Sequence, residues 1–88
     1  MNPNHTLHVT VEFHNGQEEG DVGYSYYVAS CDQIGAVTDG RTLDELLKNL
    51  REVIELALED EDTTAVYNVV PNPRIIITME LPDYAQIA

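Results

Sequence analysis

The sequence predicts a single α+β domain, residues 1–88, with its elements in the order β-β-β-α-β. Two periodicities carry this prediction. Apolar and polar residues alternate over residues 7–13, as in a strand with one buried face. Over residues 43–60 apolar residues instead recur every three or four positions, as in an amphipathic helix. We therefore expect an antiparallel sheet with one helix packed on one face.

Two further strands are expected between the first strand and the helix. A polar segment at residues 15–23, with three glycines, predicts a long hairpin loop. Residues 24–30 are rich in tyrosine and other residues that suit a pleated sheet, and residues 36–38 form a short candidate between two glycines. Sequential strands of this kind are typical of an antiparallel meander.

The helix has a defined start and a defined apolar face. Thr42 and Glu45 form the Thr-x-x-Glu pattern of a capping box, in which each side chain bonds a free backbone N–H of the first turn. The stripe expected to face the sheet comprises Leu43, Leu46, Leu47, Leu50, Val53, Ile54, Ala57 and Leu58.

An acidic run follows the helix. Its members are Glu59, Asp60, Glu61 and Asp62. They lie where the helix dipole is negative, which is an unfavourable place for carboxylates. A solvated helix end is the simpler explanation of this run. The alternative is that Lys or Arg side chains of a partner protein neutralise it, which makes all four residues interface candidates.

The chain beyond the acidic run predicts one more strand. Residues 66–70 are a short extended candidate, and the prolines in residues 71–73 are expected to break the chain after it. Residues 74–81 include three successive isoleucines, Ile75, Ile76 and Ile77. Such a run fits a strand that is buried on both faces, or one whose second face is covered by another subunit.

Net charge is the most unusual bulk property. Four Lys and Arg against sixteen Asp and Glu leave a formal charge of −12. Proteins bind phosphate backbones through Lys and Arg, so neither direct nucleic-acid binding nor binding to anionic membranes is expected. A basic protein partner is favoured instead. The simpler explanation of the charge is that it keeps a small protein soluble.

Few residues are suited to a metal, a cofactor or nucleophilic chemistry. Cys31 is the only cysteine, so neither an internal disulfide nor a cysteine zinc site is expected. His8 and His14 are about 20 Å apart along an extended strand, too far to share one ion. We expect no cofactor. The first residues lack a signal-peptide pattern, and no apolar run is long enough to cross a membrane, so a cytoplasmic location is expected.

The many acidic residues raise the alternative of a metal-dependent nuclease. Such a site needs carboxylates from the first strand, the helix and a late strand to converge on two metal ions. Glu12 is expected on the wetter face of its strand, and Glu80 near the end of the last strand. Glu45, Glu52 and Glu55 are expected opposite the apolar stripe of the helix. These positions do not converge, so we do not expect an enzyme.

Residues 26–46 combine an aromatic-rich strand, a turn, a Thr-x-Gly-x-Thr segment and a Leu-x-Glu helix start. With Asn49 and Glu52, this segment resembles the HicB-like antitoxin family. The positions that match are Asp32, Gly35, Thr38, Gly40, Thr42, Leu43 and Glu45. Cys31 and Ile34 stand where the family has prolines in the turn.

The resemblance implies a partial ribonuclease H-like fold without the nuclease carboxylates. In paired systems this fold covers a small basic toxin that cleaves RNA. Many members continue into a DNA-binding segment, whereas this chain looks like a stand-alone member, so operator binding is not carried over. The matched residues also have structural roles: positive φ angles at Gly35 and Gly40, an Asx-type turn at Asp32, and the helix cap.

Three tyrosines complete the functional hypothesis. Tyr24, Tyr26 and Tyr27 are interface candidates, because aromatic residues are enriched at binding hot spots and one helix cannot cover both faces of a sheet. The leading hypothesis is a non-catalytic HicB-like antitoxin or regulatory binding module that masks a small basic protein. The alternative is a homo-oligomeric structural or sequestering protein. In either case an exposed sheet edge or face is expected to join a second copy.

Overall fold

A computed structural model describes residues 2–16, 20, 23–59 and 62–80. The strands in this part of the chain are β1 (Asn4–His14), β2 (Tyr26–Cys31), β3 (Ala36–Gly40) and β4 (Val69–Met79), and the α-helices are α1 (Leu43–Glu59) and α2 (Thr63–Tyr67). The predicted α+β class and the order β-β-β-α-β are confirmed, with α2 as an additional short helix before β4. Neither of these two helices is long and apolar enough to cross a membrane.

The four strands form one mixed sheet in the order β3-β2-β1-β4. β1 pairs antiparallel with β2, and β2 pairs antiparallel with β3, as the predicted meander requires. β4 pairs with β1 in parallel, so the prediction of a wholly antiparallel sheet is wrong. Two hairpin reversals leave β3 running in the direction of β1. Because α1 then returns the chain to the end at which β3 began, β4 runs in that same direction.

Residues 66–70 do not form the extended segment that the sequence suggests, because α2 and β4 meet within them. The Asp62 carboxylate accepts a hydrogen bond from the Ala65 N–H at 3.3 Å and so caps the first turn of α2. Asn68 then adopts a left-handed conformation with a φ of 56°, which ends the helix. These local caps outweigh the strand propensity of Val66 and Tyr67, which lie between them.

The prolines in residues 71–73 lie within β4 instead of breaking the chain. The register passes from the pair Asn4–Val69 to the pair Thr6–Arg74, so β4 advances five residues where β1 advances two. The three additional residues form a bulge in an edge strand, where the missing N–H of proline interrupts no regular ladder. Regular pairing resumes at Arg74 and continues to the end of β4.

The core lies between α1 and one face of the sheet. Leu46, Leu50 and Ile54 of α1 are buried there, so the centre of the predicted stripe points inward. Leu43 and Leu47 are 40% and 46% exposed, because they lie at the margins of that stripe. The buried apolar residues of the four strands are Leu7, Val9, Val11, Ala29, Cys31 and Val69.

Asp32, Gly35 and Gly40, which match the family motif, lie between β2 and α1. Gly35 has the positive φ that we predict, 64°. The prediction for Gly40 is wrong: its φ is not positive, and glycine is needed because a Cβ there would lie 2.5 Å from the backbone nitrogen of Leu46. The Asp32 carboxylate makes no hydrogen bond within the described residues, so the expected Asx-type turn does not form.

Half of the predicted capping box is present at the start of α1. The N–H of Glu45 donates to Oγ1 of Thr42 at 3.1 Å. The Glu45 carboxylate accepts a hydrogen bond from the N–H of Arg41 at 3.2 Å, one residue before the position that a capping box uses. The cap therefore orders Arg41 as well as the first turn of the helix.

Candidate functional site

Two of the three candidate tyrosines lie together in a concave surface where β3 leads into α1. The cavity has a volume of about 330 Å³. We call it the tyrosine pocket and define it by its lining residues, Tyr24, Tyr26, Asp39, Gly40, Arg41 and Glu45. Side chains alternate along β2, so Tyr26 lies on this surface and Tyr27 on the opposite face, while Tyr24 lines the surface from just before β2.

The aromatic part of the pocket is ordered by ring contacts. The rings of Tyr24 and Tyr26 meet edge to face, with their centroids 6.2 Å apart. The Tyr26 ring also stacks on His14 of the neighbouring strand, at 4.9 Å and with only 8° between the planes. The guanidinium of Arg41 lies over the Tyr24 ring, 4.0 Å from its centroid. This geometry is that of a cation–π interaction.

The polar part of the pocket is negatively charged. Asp39 and Glu45 each contribute a carboxylate, and Arg41 is the one cation among the lining residues, which leaves one net negative charge. The backbone of β3 is held here by Asn49, whose Nδ2 donates to the carbonyl of Asp39 at 2.8 Å. Such a pocket is suited to a positively charged or hydrogen-bond-donating group and opposes an anion.

Tyr27 lies on the opposite face of the sheet, the face that α1 covers. It pairs with Phe13 of β1, and the ring centroids are 5.2 Å apart. Its side chain is half-buried and packs against the hydrophobic core. The structure therefore separates Tyr27 from Tyr24 and Tyr26 and gives it a packing role.

The described members of the acidic run, Glu59 and Asp62, lie at or beyond the end of α1 that is farther from the tyrosine pocket. Glu59 is the last residue of α1, about 20 Å along the helix from Glu45, and Asp62 caps α2. The expectation that Asp62 lies at the unfavourable end of a helix is wrong, because it caps the N-terminus of α2, where a carboxylate is favourable. Asp60 and Glu61 lie outside the described residues.

A second concave surface lies between α1 and β4. It has a volume of about 440 Å³, and most of its lining is apolar. We call it the isoleucine groove and define it by Leu47, Leu50, Arg51, Ile54, Glu55, Ile75 and Ile77. The guanidinium of Arg51 is paired with the Glu55 carboxylate at 3.1 Å on the helix side of this groove.

The isoleucine groove exists because α1 covers β1 but not β4. Leu7 and Val9 of β1 pair in register with Ile75 and Ile77 of β4, so all four side chains point to the face that carries α1. The two β1 residues are 0% and 1% exposed, whereas Ile75 and Ile77 are 41% and 42% exposed. On the other face Ile76 is 39% exposed, so the described part of the chain leaves the segment Ile75–Ile77 partly exposed on both faces.

The carboxylates considered for a nuclease lie on different sides of the molecule. Glu12 is on the face of β1 opposite α1, exposed, with its carboxylate 3.5 Å from Nε2 of His14. Glu52 and Glu55 belong to α1, which packs on the other face, and Glu80 follows the end of β4. In the part of the chain that the structure describes, no three His, Cys, Asp or Glu side chains are grouped so as to hold a metal ion.

Several residues of these surfaces are not identified by sequence patterns. Asp39 and Arg41 enter the tyrosine pocket only because β3 ends beside β2. The isoleucine run is visible in the sequence, but the leucines of α1 that share its groove are not distinguishable from core residues. Cys31 is 1% exposed and belongs to the core, in keeping with a structural thiol.

Comparisons with known proteins add no relative from which a role could be taken. The chain matches no family model, no curated protein and no solved structure. Its function is therefore inferred from the tyrosine pocket, the isoleucine groove and the charge of the chain.

Proposed function

We propose that this chain is a non-catalytic binding module, of the HicB-like antitoxin type, that masks a small basic protein by receiving its Arg or Lys side chains in the tyrosine pocket. The observation that carries this proposal is the composition of that pocket. It presents two tyrosine rings beside the carboxylates of Asp39 and Glu45 on a domain with a net charge of −12.

The position of Arg41 supports a guanidinium ligand. Its own guanidinium already lies 4.0 Å from the Tyr24 ring, so the pocket accommodates this group within the chain. An arginine from a partner would find a second ring, Tyr26, and the Asp39 carboxylate in the same cavity. Cation–π contacts contribute about 0.5–1 kcal/mol when exposed and about 2 kcal/mol when binding excludes water.

The charge of the whole chain supports a basic partner through long-range attraction. An acidic surface accelerates encounter with a cationic protein and disfavours nucleic acids and other acidic proteins. The resemblance of residues 26–46 to the HicB-like antitoxins is consistent with a basic partner, because members of that family cover basic RNA-cleaving toxins. Binding by such a module blocks the surface of its partner and involves no turnover.

The first part of the test is a search for a short basic protein encoded next to this chain, and the second part measures whether that protein binds the chain. We expect the two proteins to bind with an affinity that falls as salt rises, because exposed charges are screened. Replacing Tyr24 and Tyr26 together by leucine keeps apolar bulk but removes the aromatic faces. We expect this double variant to lose about 2 kcal/mol or more, roughly thirtyfold in Kd by calorimetry, as for a binding hot spot.

A matched pair of charge variants distinguishes a specific role of the pocket from general electrostatic attraction of the partner. Asp39→Asn removes a carboxylate from the pocket, and Glu52→Gln removes one from the exposed side of α1. We expect the first to weaken binding about tenfold, on the order of 1.4 kcal/mol, and the second to have little effect. Equal losses for both variants would mean that only net charge attracts the partner, and the pocket would then have no specific role.

The second candidate function is a homo-oligomeric structural or sequestering protein. The exposed isoleucines of β4 favour it, because a long apolar edge strand tends to pair with another chain. Absence of a neighbouring basic protein, or failure of that protein to bind, would contradict the antitoxin proposal and favour this alternative. Mass spectrometry of proteins recovered with the chain from its native cell would then show the chain alone.

A further inference from the structure

We infer that two copies of this chain pair through their β4 edges, antiparallel and centred on Ile77, and so join two four-stranded sheets into one of eight strands. This pairing involves β4 and not the tyrosine pocket, and it does not depend on the proposed basic partner.

The two edges of the sheet differ in length and in character. β3 forms one edge and has only five residues, one of them Asp39, which are common features of a protected edge. β4 forms the other edge, and within the described residues no strand lies beyond it. Its regular segment begins at Arg74 and includes three successive isoleucines, each 39–42% exposed. An edge of this kind is a template for another strand.

The β4 edge is complementary to itself. An antiparallel pair centred on Ile77 places Ile77 opposite its own copy and Ile75 opposite Met79 of the other chain. These residues all point to the face that carries α1, because they pair in register with inward-facing residues of β1. On the other face the same register places Ile76 opposite Thr78. Each apolar residue on the α1 face therefore opposes another apolar residue, which stabilises a cross-strand pair.

Charges at the two ends of the regular segment fit the same register. Arg74 of each chain lies opposite Glu80 of the other, so the pairing contains two opposite-charge pairs related by the twofold axis. Neither Arg74 nor Glu80 forms an ion pair within the described residues. Opposite charges directly across a strand pair are favourable, and like charges are unfavourable.

Pro73 favours this register over the one centred on Ile76. The centred pairing uses residues 74–80 of both chains and leaves Pro73 just outside. A pairing centred on Ile76 would instead place Pro73 opposite Met79, and proline cannot donate to a ladder. It would also place Arg74 opposite Thr78 and remove both charge pairs.

Charge also favours a second copy over a basic protein at this edge. Arg74 lies on the edge strand, and Arg51 lies in the adjoining isoleucine groove. These are two of only four Lys and Arg residues in the chain, so a cationic partner is least suited to this surface. A twofold axis places the isoleucine grooves of the two copies side by side on one face, where they form a continuous apolar surface.

The first test measures mass in solution by light scattering after size-exclusion chromatography. We expect the wild type to have about twice the chain mass of 9.8 kDa. Ile77→Lys brings two ammonium groups together at the axis, and we expect it to give a monomer with an unchanged circular dichroism spectrum. The matched control is Val37→Lys on β3, at a residue that is 67% exposed, and this variant is expected to stay dimeric.

The second test exchanges the charges. Arg74→Glu and Glu80→Arg each place like charges opposite one another at both ends of the pairing, so each is expected to weaken the dimer. The double variant restores opposite charges and is expected to recover dimerisation. A monomeric wild type at micromolar concentration, a dimer that survives Ile77→Lys, or a double variant weaker than both single variants would each overturn the inference.

Discussion

The side chain of Gln33 bonds the backbone of β1 beside His8, on the edge of β1 that β2 no longer reaches. Its Oε1 accepts a hydrogen bond from the His8 N–H at 2.6 Å, and its Nε2 donates to the Thr6 carbonyl at 3.0 Å. β2 pairs with β1 only from Thr10 onward, because the chain turns away into a short 3₁₀ helix after Cys31. A primary amide offers the same donor and acceptor as a peptide group, so Gln33 continues the ladder by one step.

Removal of this amide should destabilise the fold. We expect Gln33→Ala to lower the free energy of unfolding by about 1–2 kcal/mol, because two hydrogen bonds to the backbone of β1 are lost. The control is Asp32→Ala in the same 3₁₀ helix, which removes a carboxylate with no hydrogen bond in the described structure and should change stability by less than about 0.5 kcal/mol. Urea unfolding of both variants measures the difference, and equal effects would contradict the role of Gln33.

Gly40 should tolerate a methyl group poorly. A Cβ at this position would lie 2.5 Å from the backbone nitrogen of Leu46, and backbone atoms of a helix cannot move aside easily. We expect Gly40→Ala to cost about 3 kcal/mol, at the upper end of the range for overpacking. Gly35→Ala is the matched control: its Cβ meets no atom within 4 Å, so only the left-handed φ of 64° costs about 1 kcal/mol. If Gly35→Ala lowered the melting temperature more than Gly40→Ala, the backbone strain at position 35 would outweigh the steric contact at position 40.

Leu46 should contribute more to stability than any exposed leucine of α1. It is 0% exposed at the centre of the core, so Leu46→Ala leaves a cavity and should cost about 2–5 kcal/mol. Leu56 lies on the same helix and is 71% exposed, and the same substitution there should cost less than about 0.5 kcal/mol. Similar urea midpoints for the two variants would mean that α1 does not pack through Leu46.

The start of α1 should depend on a hydroxyl at position 42. Thr42→Ala removes the acceptor for the Glu45 N–H and is expected to cost about 1 kcal/mol. Thr42→Ser retains the hydroxyl and should stay within about 0.5 kcal/mol of the wild type. Chemical denaturation of both variants measures the effect. A loss of stability in the serine variant as large as that in the alanine variant would assign the effect to packing of the methyl group.

Local patterns predicted the elements but not all of their relations. Alternation identified β1, helical spacing identified α1, and the α+β order follows from them. The direction of β4 was predictable in principle, because each hairpin and the helix reverse the chain once. α2 was missed because its caps, Asp62 and Asn68, belong to a helix of only five residues, too short for a periodic signal.

The functional surfaces were less accessible to sequence reasoning. Alternation along the predicted strand at residues 24–30 puts Tyr24 and Tyr26 on one surface, and they do share one although β2 begins only at Tyr26, so this much follows from the sequence. Their proximity to Asp39 and Glu45 does not, because it depends on β3 lying beside β2 and on where α1 begins.

The amino-acid sequence by itself determined that β1 is extended, that α1 is helical and how acidic the chain is, since these properties depend on composition and on neighbours along the chain. Tertiary structure alone decided which of two similar apolar side chains is buried and which is exposed. Val9 and Ile77 are paired partners on the same face of one sheet, yet one is buried and the other is 42% exposed. The physical reason is that one helix is too narrow to cover the whole sheet. α1 covers β1 but does not reach the edge strand β4, and no local sequence pattern encodes where its coverage ends.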